Sequence, residues 1–375
     1  MKYELKNTNG EINRGSLAKI RECMDKAKEG KPITVAFLGG SITQGSLSSS
    51  PETCYAYRTY DWWVKTFPLS KVTYLNTGIG GTSSQFGVAR VEKQVLDKNP
   101  DFLLVEFAVN DENNLFFEET YEGLIRRILK DRNAPAVLLM NNVRYDNCSS
   151  AEEMHLRVAK HYHLPMVSMK STILPEVKEG RIPNREITPD DLHPNDEGHS
   201  LVASVITNYL QRIYEGLPDE EGKHSCYGKD MPKPLSDNGF ENSVRLQNIN
   251  SDPILCGFEK DNAKKTDFLD LYKEGWTASN QGDKIIFETE CTGVAVQFRK
   301  SVKRPTPIAM VTIDEMVSSK KMLNGNFDEE WGDCLFIETI CKQLPLKKHK
   351  IEIEIIETHE QDIVPFYLVS VIASK

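Results

Sequence analysis

The sequence predicts an α/β protein: a parallel sheet between two helical layers, followed by a second, strand-rich domain. Three observations carry this. Residues 33–38, Ile-Thr-Val-Ala-Phe-Leu, form a short apolar run that ends in Gly39-Gly40, as a strand buried on both faces would. Four more short apolar runs follow, separated by segments of helical periodicity. Near Gly216 that alternation stops, and the remaining apolar segments read as strands with few helices between them.

In chain order, residues 15–30 read as an amphipathic helix, with Leu17, Ile20, Cys23, Met24 and Ala27 at helical spacing. The strand at 33–38 comes next. An aromatic helix follows, carrying Tyr55, Tyr57, Tyr60, Trp62 and Trp63. Residues 72–75 read as a strand, 85–97 as helix, 102–107 as strand, 120–130 as helix and 136–140 as strand. Residues 151–162 read as helix, 165–169 as strand, and Pro194 is expected to open a last helix at its first position, running to 214. Right-handed crossovers then put functional loops at the carboxyl ends of the strands. Ser41, the turn Gly78-Ile79-Gly80-Gly81 and Asn110 each follow one of these strands.

Residues 217–250 are rich in Gly, Pro, Asp, Glu and Asn, as a linker or an irregular wrap would be. Beyond them, residues 285–289, 294–298, 310–313 and 366–372 read as strands. Ile351, Ile353 and Ile355 alternate with Glu352 and Glu354, the pattern of a half-buried strand. The expected division is an α/β domain at 1–216, the linker or wrap at 217–250, and a β-sandwich at 251–375.

Composition narrows the function classes. A chain of 375 residues is long for one ordinary core. A net charge of −9 argues against non-specific nucleic-acid binding. Residues 1–11 are polar and lack the apolar core of a secretory signal, and no run approaches the ~20 apolar residues of a membrane span. Eight cysteines are scattered without a CxxC pair. The expectation is a reduced, cytoplasmic protein without a membrane partner, its oligomeric state open and a homo-oligomer among the options.

Chemistry gathers in four blocks. Gly39-Gly40-Ser41-Ile42-Thr43 sets a serine on a tight turn after a strand, where glycine permits unusual angles and close approach; such a turn is also common without any chemistry. Residues 75–84, Leu-Asn-Thr-Gly-Ile-Gly-Gly-Thr-Ser-Ser, offer backbone N–H groups from a glycine turn, and alone would be read as an ordinary βα connection. Phe107-Ala108-Val109-Asn110-Asp111 ends a buried strand with an amide that either donates to an oxyanion or caps the next segment. In Asp190-Asp191-Leu192-His193-Pro194, Asp190 can reach the Nδ1 of His193 across a turn, which leaves Nε2 for a serine. A hydroxyl nucleophile needs a base, the base an orienting anion, and the developing oxyanion its donors.

In this order and at strand ends, the four blocks resemble the SGNH (GDSL-like) hydrolase superfamily over roughly residues 33–214. The resemblance implies a three-layer, flavodoxin-like α/β/α fold and a serine esterase that needs no metal and no organic cofactor. It implies Ser41 as nucleophile, Asp190 as orienting acid and His193 as base. The oxyanion hole would be formed by Ser41, Gly81 and Asn110, with Gly80 the neighbouring alternative to Gly81. Two departures stand out: the aspartate of the family's Gly-Asp-Ser is absent before Ser41, and Ala108 replaces the glycine of Gly-x-Asn-Asp. The aspartate is no part of the catalytic group. The two-domain layout and the Gly-Gly-Ser-Ile-Thr wording are most similar to carbohydrate O-acetylesterases, in particular mannan O-acetylesterases with a carbohydrate-binding-module-like, jelly-roll-like C-terminal domain. The implied substrate is an acetylated manno-oligosaccharide.

Weaker signals have plainer readings beside them. Trp63, in the helix after the nucleophile loop, suits core packing better than a sugar subsite. Trp276 and Trp331 are candidates for sugar stacking, since an aromatic face matches the apolar C–H patches of a pyranose; buried sandwich tryptophans are equally common. Trp331, in a polar acidic loop, is the one expected to help clasp an oligosaccharide. His193, Asp196 and His199 share a spacing of three, but Asp196 suits a helix N-terminus better than a metal. Two other readings compete: a lipid or thioester hydrolase on the same scaffold, which would want an apolar groove, and a sugar-binding protein with a dead site, which would want a broken constellation.

Overall fold

The computed structural model describes residues 2–375 and divides into two units, one reaching to Asn238 and the other starting at Gly239. The first is built on a six-stranded sheet. Its strands are β1 (Glu11–Asn13), β2 (Ile33–Gly39), β3 (Val72–Asn76), β4 (Phe102–Glu106), β5 (Ala136–Asn141) and β6 (Met166–Ser168), in the order β1-β6-β5-β4-β2-β3. The last five run parallel, and β1 adds an antiparallel edge against β6. Every residue of β4 and β5 is buried, as the apolar runs at 102–105 and 136–140 require in the middle of a doubly covered sheet, and each strand ends in a buried polar residue, Glu106 and Asn141.

Among the described residues nine α-helices punctuate these strands: α1 (Ala18–Lys28), α2 (Ser41–Gln44), α3 (Tyr55–Thr66), α4 (Ser84–Gln94), α5 (Leu115–Lys130), α6 (Glu152–His161), α7 (Ile173–Lys178), α8 (Asn184–Ile187) and α9 (Asp196–Tyr214). Helices α4, α5 and α6 pack on one another, while α9 packs on α1 and α3, which gives the two layers. Because β2 connects outward to β3 on one side and the chain then returns to β4 on the other, a crevice opens beyond the carboxyl ends of β2 and β4. The site lies there.

Some boundaries differ from expectation. Helix α5 begins at Leu115, earlier than 120, because the Asn114 side chain accepts the N–H of Phe117 and caps it. Pro194 does not occupy the first position of α9. Asn195 is the cap, accepting the N–H groups of Glu197 and Gly198, and Pro194 precedes it. Helices α7 and α8 and strand β1 are too short to show a period in the sequence.

The second unit consists of two antiparallel sheets. One contains β9 (Glu259–Lys260), β10 (Trp276–Ala278), β12 (Gly293–Lys300), β15 (Cys334–Cys341) and β17 (Phe366–Ser374), with β7 (Val244–Leu246) also paired to β17. The other contains β8 (Ile254–Cys256), β11 (Lys284–Cys291), β13 (Ile308–Ile313), β14 (Lys321–Asn324) and β16 (Lys347–Glu357). Ile285, Ile351, Ile353 and Ile355 of one sheet and Val296, Phe298, Leu368 and Val371 of the other share a single core, so the sheets pack face to face. On the outer face of β16, Glu352 and Glu354 pair with Lys284 at 3.3 and 3.1 Å. Among the described residues no helix is long and apolar enough to cross a membrane.

Candidate active site

The loop that carries Ser41 is shaped by two glycines that no other residue can replace without moving a neighbour. A Cβ on Gly39 would stand 2.1 Å from Thr43 Oγ1 and 2.6 Å from the Glu106 carbonyl; one on Gly40 would stand 2.1 Å from Asn110 Oδ1. With Gly40 as its cap, the single turn α2 starts at Ser41, whose N–H therefore has no carbonyl within the helix to bond. Ser41 is buried except for a 7 % exposed remnant. Arg90, from α4, is buried beneath this loop and donates to the carbonyls of Gly39 at 3.0 Å and Thr77 at 2.6 Å, tying the first glycine turn to the second.

The structure brings Ser41, His193 and Asp190 together from 152 residues apart. Ser41 Oγ lies 2.8 Å from His193 Nε2, and His193 Nδ1 lies 2.5 Å from Asp190 Oδ2. With Asp190 ionised, the network assigns the ring proton to Nδ1, so that Nε2 accepts from the serine hydroxyl. The other oxygen of Asp190 accepts the backbone N–H groups of His193 at 2.7 Å and Leu192 at 3.1 Å, an Asx turn that presents the imidazole. Burial pushes the Asp190 carboxyl up, but the imidazole and the two N–H groups outweigh it and hold its pKa below the usual carboxylate range. The turn is anchored at Asp191, where φ is +64°: its carboxylate accepts from Arg185 at 2.6 Å and from Asn184, and its carbonyl accepts the Tyr145 N–H at 2.8 Å.

The two segments expected to supply oxyanion donors lie in different places relative to Ser41: Gly80 stands beside it, and Asn110 beside Gly40. A Cβ on Gly80 would lie 3.6 Å from Ser41 Cβ, but the Gly80 N–H is committed to Gln44 Oε1 at 2.6 Å. Gly81 follows with φ +68° on the exposed side of the turn. Asn110 does not cap the next helix. Its Oδ1 is buried against Gly40 without a hydrogen-bond partner. Beneath it the wholly buried Glu106 accepts the Ala108 N–H at 3.0 Å. Burial is the main cause that pushes its pKa up to about 7, against hydrogen bonds that lower it.

Sequence reasoning missed the supports of this site. Asp196 accepts the Ser49 N–H at 2.7 Å and the hydroxyls of Ser49 and Thr53 at 2.5 and 2.7 Å, which holds its pKa at about 2. Buried His199 accepts the Tyr55 N–H at Nδ1 (3.3 Å) and faces the Ser46 carbonyl with Nε2. Burial lowers its pKa to about 4. The spacing that hinted at a metal thus clamps the loop between α2 and α3 onto α9. Asp111, next to Asn110, is bound to His155, which only the fold brings near.

The tryptophans divide. Trp63 is wholly buried among Phe67 and Phe102, and Trp276 wholly buried against Phe287, so neither has a face for a sugar; the apolar cores of the two units claim both rings. Trp331 is 65 % exposed and stands edge-on to Phe327 at 5.1 Å. In the first unit a groove runs from Asn110 past Glu112, Asn113, Ser149 and Ser150 to Lys170. Its lining mixes polar side chains with the apolar surface of Ala108, Val109 and Cys148.

Residues 37–201 match the GDSL-like lipase/acylhydrolase family. The chain is 52% identical to a two-domain esterase active on acetylated mannans, crystallised with mannopentaose; the match covers 100% of this chain and 99% of that one, with a TM-score of 0.94. A second crystal structure of a two-domain esterase active on acetylated mannans matches with the same identity and TM-score over 99% of each chain. Among curated proteins, thioesterase 1/protease 1/lysophospholipase L1 of Escherichia coli (strain K12) is 26% identical over 189 residues, 48% of this chain and 84% of that protein.

Proposed function

Since the chain belongs to the GDSL-like lipase/acylhydrolase family and is a carboxylic ester hydrolase, we propose that it removes O-acetyl groups from manno-oligosaccharides through an acetyl-serine intermediate. The observation that carries this reading is the 2.8 Å contact of Ser41 with His193, itself held by Asp190, in a chain whose full-length relative acts on acetylated mannans.

His193 takes the Ser41 proton at Nε2 as Oγ attacks the acetyl carbonyl, and Asp190 stabilises the imidazolium that forms. The oxyanion is received by the N–H groups of Ser41 and Gly81 and by the Asn110 amide nitrogen. Gly81 is preferred to Gly80 because Gln44 already takes the Gly80 N–H. The imidazolium then gives its proton to the departing sugar oxygen, and water repeats the sequence on the acetyl-enzyme. Along the groove beyond Asn110, the side chains of Asn113, Ser149, Ser150 and Lys170 offer hydrogen bonds to a hydroxylated ligand. Exposed Trp331 offers a stacking face to a pyranose, and eight free cysteines suit a cytoplasmic enzyme.

Acetylated manno-oligosaccharides incubated with the protein and weighed by mass spectrometry should lose acetyl groups. Ser41→Ala and His193→Ala should each leave them intact. Retention of every acetyl group with the unaltered chain would remove the substrate assignment, and full turnover by Ser41→Ala would remove the mechanism. If Trp331→Ala left KM for the oligosaccharides unchanged, the stacking role would go.

A further inference from the structure

Asp111 spends its two oxygens in two directions. Oδ1 accepts the N–H of Ser84 at 2.9 Å, at the start of α4 and three residues beyond Gly81. Oδ2 lies 3.0 Å from His155 Nε2, and His155 Nδ1 lies 3.2 Å from Asn141 Oδ1. The Asp111 and His155 side chains are entirely shielded from solvent, and the imidazole lies flat on the Tyr121 ring, centroids 3.6 Å apart and planes 8° from parallel. Asn141 donates its NH2 to Met166 Sδ at 3.1 Å. Turning that amide over would set an oxygen against the sulfur, so the oxygen stays toward His155.

Both ring nitrogens of His155 therefore face acceptors, a carboxylate and an amide oxygen. A neutral imidazole has one N–H and would leave lone pair against lone pair at one of the two contacts. A ring protonated at both nitrogens satisfies both, and its charge is met by Asp111 and by the face of Tyr121. We propose that Asp111 and His155 form a buried carboxylate–imidazolium pair that positions the oxyanion hole. The pair fixes the distance between the loop that carries Asn110 and the turn that carries Gly81. Asp111 and His155 are positioning residues that touch no substrate. The proposal rests on the hydrolytic reading above, whose own failure shows separately as a lack of acetate release by the unaltered enzyme.

A pair of this kind acts on the transition state and not on the ground-state complex, because the donors it aligns are needed when the oxyanion develops. Removing His155 leaves Asp111 Oδ2 buried without a donor, and the carboxylate must then move, carrying its hold on Ser84 with it, or take up a proton.

The test is steady-state kinetics on a small acetyl ester, with nitrogen-15 spectra of the histidine rings of the unaltered enzyme. His155→Leu should lower kcat by about tenfold or more with KM within about twofold. His155→Gln, whose amide can donate to Asp111, should recover most of that loss. The nitrogen-15 spectra should show both ring nitrogens of His155 protonated. A kcat in His155→Leu equal to that of the unaltered enzyme, a loss falling on KM alone, or no recovery in His155→Gln would overturn the positioning role. A singly protonated ring would overturn the ion pair. If His155→Leu fails to fold, Asp111→Asn takes its place: the charge is gone but the Ser84 N–H keeps its acceptor, and kcat should again fall by about tenfold. An unchanged kcat in Asp111→Asn would equally reject the proposal.

Discussion

Gly40 shows how little room the catalytic loop has. A methyl group there would stand 2.1 Å from Asn110 Oδ1, so Gly40→Ala must push the amide aside. Steady-state assays should show kcat down by about tenfold or more while the circular dichroism spectrum is kept. In the proposed mechanism Asn110→Ala removes one oxyanion donor, and a fall of about 10²–10³ in kcat is expected. A loss under about threefold would take Asn110 out of the oxyanion hole. Titration gives another check. His199 binds its proton more weakly folded, at about 4, than the ~6.5 of a free imidazole, so the unfolded chain takes up more protons between those values. Its contribution is complete above about pH 6.5, is lost as pH falls toward 4, and amounts to about 3 kcal/mol. Glu106 opposes it: with a folded pKa near 7, its contribution falls as pH rises toward that value. Relative to the unaltered protein, His199→Gln should therefore lose more stability at pH 7 than at pH 4 in urea titrations. Equal losses at both would contradict a buried neutral His199. At this scale the contact of Ser41, His193 and Asp190 was legible because their motifs are local. Asp111, His155 and Arg90 were not, because their partners lie on other elements.

At the scale of elements, α9 is the lever behind the site. Its first turn brings Asp196 and His199 to the loop between α2 and α3, and its cap is Asn195. Asn195→Ala should cost about 1 kcal/mol in denaturant unfolding. Because that turn also holds the loop, slower turnover should accompany the loss. The sequence placed this helix but mistook its start: proline at a first helical position is a common pattern, yet the asparagine after it offers two hydrogen bonds that proline cannot. The central strands were legible from their apolar runs, and β16 from its alternation. Strand β15 (Cys334–Cys341, Cys-Leu-Phe-Ile-Glu-Thr-Ile-Cys) was missed because its apolar residues do not alternate cleanly, and β7, β8 and β9 because two or three residues carry no period.

At the scale of the molecule, each unit has its own core: Phe37, Leu104 and Leu138 lie in one, Phe287, Ile353 and Leu368 in the other. Ile353→Ala removes a side chain from the second core alone and should destabilise that unit by about 2–5 kcal/mol. Differential scanning calorimetry should then resolve a transition that moves down while the esterase-bearing unit keeps its own midpoint. One transition moving as a whole would mean that the two cores melt together. The presence of two domains was legible from the change of pattern near Gly216, since alternation of helix and strand is a property of long stretches.

The gap of 152 residues between Ser41 and His193 has a consequence for how the chain comes to life. While it is being synthesised, the serine emerges long before the histidine that deprotonates it in the proposed mechanism, and every fragment ending before residue 193 lacks that partner. On that mechanism hydrolysis waits until the chain has passed His193 and the α/β domain has brought the two side chains together.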